Sequence, residues 1–276
     1  MIQIAGRAFQ LNESWQLGDI EKTIIEYMQN DPDPYSYSSV NEFLFEIQVR
    51  ANIIKSAKEM DQGESDFTVF ESARCNPRYW QRTSQGGFML RSDVEPATAI
   101  QDIYRNSSLY GFECATACVI IYYHAILRSI GAKLFNMLFQ NLYLYSWHTD
   151  ADLGLITFYS NHYLPGDVVY FKNPDFHPQT PWFRGLNAVV LEDGKFFGHG
   201  FSIMAGDEII KFLNEKRTPN SQNAAYLSNL LSRPSFNYLA KVTSWQTSNR
   251  STKIQRPVLH HNKSSIPFVQ YLYYLT

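Results

Sequence analysis

Apolar positions recur with a helical period through the first half of the chain and in shorter, strand-like runs through the second. Ile2 to Phe9 suits a short edge strand, and Trp15 to Met28 spaces its apolar residues as a helix would. Asn30-Asp31-Pro32-Asp33-Pro34 stops that helix. Ser39-Val40-Asn41-Glu42 matches a capping box. It opens an amphipathic helix with Phe43, Leu44, Ile47, Ala51 and Ile54 on one face, ending before Gly63. The segment from Phe67 to Arg91 reads as a loop rich in aromatics and arginine. Pro96 suits the first turn of a helix carrying Ile100 and Ile103. Cys114 to Leu127 is almost wholly apolar and predicts a buried helix of roughly five turns, stopped at Gly131. Lys133 to His148 repeats Leu134, Leu138 and Leu142 at helical spacing.

The period then changes. Leu164-Pro165-Gly166-Asp167 reads as a turn into a buried strand over Val168 to Phe171. Asn187 to Leu191 and Lys195 to Phe201 read as two strands around a Glu192-Asp193-Gly194-Lys195 turn. Asp207 to Lys216 and Asn223 to Leu231 return to helix. From Ser244 the chain is polar and irregular until an apolar end, Phe268 to Leu275, which suggests a tail with a docking end. Helices first and strands later predict an α+β fold. The expected organisation is a single catalytic domain over 1–243 and a flexible polar tail over 244–276.

Composition narrows the picture. The 276 residues are 45% hydrophobic, enough for a packed core. The net charge of −2 argues against nucleic-acid binding by phosphate neutralisation. Three cysteines, Cys75, Cys114 and Cys118, do not make a disulfide framework. The first residues lack a signal-peptide layout, and the apolar run after Cys114 reads as too short for a membrane span. A soluble protein of a reducing cytoplasm, with no membrane partner, is expected.

Cys114 is the residue with chemistry to offer. A thiol in the first helical turn faces unpaired N–H groups and the positive end of the helix dipole, a position expected to lower its pKa. A small core residue is the competing reading, and position alone leaves both open. A thiolate needs a proton partner. His260 and His261 lie in the tail, His124 reads as a core histidine, and His148, His162 and His177 have no local geometry to favour them. His199 stands between Gly198 and Gly200, which leave its ring unshielded. If Asp193-Gly194 is a two-residue turn, Ala188 opposes His199 and Leu186 opposes Phe201. Leu186 and His199 would then share a face as diagonal neighbours roughly 7–8 Å apart. Cys118 follows one turn after Cys114 and reads as core packing, and Cys75 has no assigned role.

A cysteine at a helix start followed by a histidine on a later strand is similar to the papain-like layout. Leu164 to Phe171 also resembles a strand-entry signature of NlpC/P60 cysteine peptidases. A broader match emerges from Tyr110-Gly111-Phe112-Glu113-Cys114-Ala115-Thr116-Ala117, Gly166 to Pro174, Arg184-Gly185-Leu186-Asn187 and Phe196-Phe197-Gly198-His199-Gly200. With weaker similarity at Leu44 to Ile53 and Ala99 to Ile103, these segments resemble the Bacillus spore protein-glutamine gamma-glutamyltransferase family over most of residues 1–240.

The resemblance implies a papain-like or NlpC/P60-like core, with a central helix on an antiparallel sheet and extra N-terminal helices. It implies an enzyme that joins glutamine and lysine side chains of spore coat proteins through a thioester, without calcium or cofactor. Cys114 matches the nucleophile, Glu113 the acidic residue beside it, and His199 the family histidine. It further implies a monomer made in the mother-cell cytoplasm and later resident in the spore coat. One position departs. The family carries glutamate where this chain has Leu186, and that glutamate is thought to serve the cysteine as acid/base. Glu113, His199 and Asp167 are the available substitutes, and Glu192 and Asp193 lie too far along the turn. The alternatives to this transferase are a coat scaffold that has lost catalysis, or a hydrolase or deamidase in which water replaces lysine. Tyr110, Phe112, Trp182 and Phe183 are candidates for a dry wall around the thioester, or for ordinary core.

Overall fold

A computed structural model describes residues 1–244 and the backbone of two later strands, Val258–His261 and Ser264–Pro267. The fold is α+β, as the sequence pattern predicts. Six helices follow in chain order: α1 (Asp19–Asn30), α2 (Val40–Gln62), α3 (Pro96–Arg105), α4 (Cys114–Leu138), α5 (Gly206–Glu215) and α6 (Phe236–Ser244). The main sheet has six strands: β1 (Leu155–Tyr159), β2 (Val168–Lys172), β3 (Gly185–Val190), β4 (Phe196–Gly198), β5 (Ser202–Met204) and β6 (Tyr226–Pro234). They lie in the order β5-β4-β3-β2-β6-β1, every neighbouring pair antiparallel.

The local rules account for most of these elements. Ser39 caps α2 by accepting a hydrogen bond from the Glu42 N–H (3.2 Å), while the Glu42 carboxylate reaches one residue further back, to the Ser38 N–H (2.7 Å). Pro96 opens α3, where its missing N–H costs nothing. The helix after Cys114 does break at Gly131, whose backbone is non-helical (φ 76), but it resumes at once and runs to Leu138. The helical spacing read from Lys133 to His148 holds only that far, and Tyr143–Leu144 is a strand. The first helix starts later than its apolar spacing suggested, at Asp19, with Trp15 in a preceding 3-10 turn. The segment over Phe67 to Arg91 is not all loop: Trp80–Arg82 and Phe88–Leu90 pair with each other, and Phe88–Leu90 pairs with Tyr143–Leu144. The segment read as helix over Asn223 to Leu231 becomes strand β6 from Tyr226 on, because Leu227 and Leu231 pair with Phe171 and Val169 of β2. The expected flexible tail falls largely outside the described residues, as does the apolar end over 268–275.

Two apolar layers flank the sheet. On one face Val168, Val189 and Phe197 join the large core built with α2, α3 and α4. On the other, Val169, Phe171, Leu186, Ala188, Val190 and Phe196 close against Ile209 and Leu213 of α5. By length and apolar composition α4 would suit a membrane span, beyond what the short apolar run suggested, but most of it is buried inside this core. Helix and sheet layers are also tied by charge. Buried Arg50 of α2 donates to Asp167 Oδ1 (2.9 Å), to Glu46 Oε1 (2.8 Å) and to the Pro165 carbonyl (3.0 Å). Arg233 on β6 donates to Asp167 Oδ2 (3.1 Å).

Candidate active site

The site grows from the junction where Gly111–Phe112 leads into α4. Gly111–Phe112 pairs in parallel with Asp66–Phe67, which fixes Phe112 and delivers Glu113 to the N-cap of the helix. The Glu113 carboxylate accepts from the Ala115 N–H (2.6 Å), the Thr116 N–H (2.6 Å) and the Thr116 hydroxyl (2.7 Å). A carboxylate at this end is favoured by the helix dipole and satisfies two otherwise orphaned donors. Thr116 in turn accepts from the Ser146 N–H (2.8 Å), so the cap is anchored to the segment carrying Tyr145 and Trp147.

Cys114 follows as the first residue of α4 and is half-buried. Its thiol feels the charge of the preceding Glu113, and Asn187 Nδ2 donates to Sγ at 3.6 Å. The expected lowering of its pKa does not occur. Burial, then the neighbouring Glu113 charge, push the thiol up to about 12, against the opposing pull of the Asn187 backbone and side chain. Desolvation outweighs the dipole here because Glu113 occupies the first-turn N–H groups that would otherwise face the sulfur. Burial also raises Glu113 above the usual carboxylate range, although its three donors and the thiol pull it down. The pair therefore rests as thiol beside a carboxylate of heightened basicity.

His199 sits past the end of β4, in a tight turn closed by the Phe201 N–H donating to the Gly198 carbonyl (2.8 Å). Gly200 takes φ 87 there, and a Cβ at that position would lie 2.7 Å from Phe67 Cβ, so the turn admits only glycine. The imidazole is 4% exposed, stacks on the Phe112 ring (centroids 4.6 Å apart) and places Nε2 3.1 Å from the Asp66 carbonyl oxygen. Burial lowers it to about 4, so it is neutral at pH 7. It braces the strand leading to Cys114, and its hydrogen bonding goes to backbone rather than to the thiol.

The hairpin register differs from the count that paired Leu186 with the His199 face. Val190 opposes Phe196 and Val189 opposes Phe197, one residue away from that count. The turn holds three residues, Glu192-Asp193-Gly194, and closes with the Leu191 N–H on the Lys195 carbonyl (2.9 Å). Gly194 at φ 77 supplies the left-handed third position of a bulged hairpin. A slip of one residue exchanges the two faces. Asn187, absent from the sequence-based site, now faces α4 and the thiol. Leu186, 1% exposed, lies on the opposite face, against the backbone of Gly198 and within the α5 cluster on which Cys114 also packs.

The other candidates separate cleanly. Asp167 is fully committed to Arg50, Arg233 and the Leu164 N–H (2.9 Å), which removes it as a proton carrier. Glu192 pairs with Lys58 and Asp193 with Lys195 at the turn. His124 is a core residue, as read, stacked on Tyr104 (3.7 Å) beside Ser56 Oγ (3.0 Å). Cys118 packs in the large core, and Cys75 is half-buried with its thiol pushed up to about 11 by burial. Tyr110 is core, its hydroxyl donating to Asp102 (2.6 Å), and Phe112 is buried beneath His199. Trp182 and Phe183 sit in the 3-10 turn entering β3, with Trp182 42% exposed and Phe183 packed on Phe201 and Phe212.

Comparison with known proteins bears on what this constellation does. The family described as protein-glutamine gamma-glutamyltransferase matches residues 1–243. A protein-glutamine gamma-glutamyltransferase of Halalkalibacterium halodurans is 54% identical over 275 residues, covering 100% of this chain and 97% of the relative. One from Bacillus mycoides is 45% identical over 213 residues, 77% of each chain. A solved transglutaminase from Geobacillus stearothermophilus, without its C-terminal extension, superposes with a TM-score of 0.72 at 45% identity, covering 74% of this chain and 98% of that one. With a family match over 1–243 and a relative 54% identical across its length, this chain belongs to the protein-glutamine gamma-glutamyltransferase family.

Proposed function

We propose that the enzyme cross-links proteins through a thioester on Cys114, with Glu113 as the group that accepts and returns the proton. The observation that carries this reading is the placement of the Glu113 carboxylate, raised by burial, at the N-cap of α4 immediately before the Cys114 thiol that its charge acts on. As Sγ attacks the glutamine carboxamide carbon, its proton moves to Glu113. The protonated Glu113 gives that proton to the departing amide nitrogen, which leaves as ammonia. A lysine amine then attacks the thioester, its proton passes to Glu113, and the isopeptide leaves with the thiol restored. Leu186 carries no proton and takes no part, and His199 acts through the position of Phe112.

The proposed substrates are glutamine and lysine side chains of spore coat proteins, reached by a monomeric enzyme made in the mother cell and retained in the coat, without calcium. This part rests on the sequence resemblance. The test is incorporation of a labelled primary amine into a glutamine-bearing protein with a calcium chelator present. Incorporation is expected in the wild type and lost in Cys114→Ala. Free glutamate formed in place of cross-links would show a hydrolase. No incorporation unless Leu186→Glu is introduced would show that Glu113 does not carry the proton.

A further inference from the structure

The site provides one proton carrier but needs a second kind of group. Negative charge develops first on sulfur and then on the carboxamide oxygen, and both need a hydrogen-bond donor. Most of the start of α4 is already engaged. The Ala115 and Thr116 N–H groups point at Glu113, and the Ala117 N–H donates to the Glu113 carbonyl (3.0 Å). The nearest carboxylate makes matters worse for an anion, since its charge opposes thiolate formation. His199 is buried and held by backbone, and Leu186 has no donor.

We infer that Asn187 is a catalytic residue: its side-chain amide is the electrostatic donor of the reaction, stabilising the thiolate as Glu113 takes the proton and then the oxyanion of the tetrahedral intermediate. Three observations carry this. Asn187 Nδ2 already donates to Cys114 Sγ at 3.6 Å, a contact to the reacting atom itself. Asn187 lies on the face of β3 that Val189 turns into the core with α4, while its neighbours Leu186 and Ala188 face the α5 cluster. The side chain is half-buried in the interior of β3, where Asn187 pairs with Tyr170, so the amide is held on a rigid element with little water to compete. When sulfur becomes a thioester it loses most of its capacity to accept, and the freed N–H lies beside the carbonyl oxygen bound to the same carbon. A neutral donor suits a site whose one carboxylate must stay available for the proton.

The inference rests on Cys114 being the nucleophile, and the experiment separates the two. The rate of Cys114 alkylation by iodoacetamide is measured against pH, peptide by peptide, for wild type, Asn187→Ala and Asn187→Asp, beside amine incorporation and thermal melting. Loss of a hydrogen bond to a charged group predicts alkylation of folded Cys114 roughly tenfold slower in Asn187→Ala at any pH between about 7 and 9, with kcat falling by roughly tenfold or more. Asn187→Asp keeps the shape, replaces the donor by an acceptor and slows alkylation further. An alkylation rate unchanged in Asn187→Ala, or faster in Asn187→Asp, overturns the inference. The alkylation profile needs no turnover, so it remains decisive if the proposed cross-linking fails.

Discussion

Glu113→Gln is the sharpest perturbation of this site, because it should move two properties of Cys114 in opposite directions. In the native enzyme Glu113 caps α4 through three hydrogen bonds of 2.6–2.7 Å and raises the thiol through its charge. Glutamine fits the same space and keeps one oxygen for Thr116, but it turns an NH2 group toward the Ala115 N–H. The cap loss costs about 1 kcal/mol. The charge works the other way. A carboxyl whose folded pKa is raised contributes stability below its unfolded pKa and loses it as pH rises through the folded one, so above the folded pKa the buried charge is a burden that glutamine lifts. Melting at pH 7 should therefore fall by only a few degrees. Removing the proton carrier should lower amine incorporation by ~10²–10⁴, or about 3–5 kcal/mol of barrier. At the same time the alkylation midpoint of Cys114 should drop below its native value of about 12, since the neighbouring negative charge is gone. A more acidic thiol with far less activity is the expected signature. Activity within about threefold of wild type, or a midpoint that rises, would refute the role given to Glu113.

Three further outcomes follow from the same geometry. Thr116→Val removes a donor to Glu113 and the acceptor for the buried Ser146 N–H; it should cost about 1–3 kcal/mol and move the acidic limb of the pH–rate profile upward, with Thr116→Ser restoring both. Asp167→Asn leaves Arg50 and Arg233 without their charge partner and should cost roughly 3–5 kcal/mol in denaturant unfolding while folded enzyme keeps its turnover; a selective loss of turnover would return Asp167 to the site. Buried His199 and His124, lowered to about 4 and about 3, give stability that is whole above their unfolded pKa of 6.5 and is lost as pH falls toward the folded values, up to roughly 3 and 5 kcal/mol respectively. Melting temperature should thus decline steadily from pH 7 to 4, less so in His124→Asn, and a flat profile would contradict it.

What the sequence shows of this protein divides by range of interaction. The head of α4 was legible because a helix start followed by a long apolar run is local, and the same holds for Ser39 and Pro96. The thiol's acidity was not, because the dipole is a local feature whereas burial and the orientation of the Glu113 carboxylate come from packing. Asn187 was missed for a subtler reason. The turn at Glu192-Asp193-Gly194 is legible, but Asp-Gly supports both a two-residue loop and a three-residue loop with a bulge, and the difference of one residue decides whether the count puts Leu186 or Asn187 on the face of the His199 position. The β6 segment was misread as helix since its leucines at 227, 230 and 231 fit both periods, and only the neighbouring β1 and β2 settle it.

A thiol held at about 12 has a consequence for endurance. Peroxides and other oxidants attack the thiolate, and a thiol held this far above neutrality is scarcely in that form at pH 7. The enzyme keeps its nucleophile in an unreactive form until a carboxamide arrives to share the proton transfer. Cys114 should therefore oxidise slowly during long storage. Reactivity on demand and chemical longevity come from the same burial, reinforced by the same carboxylate.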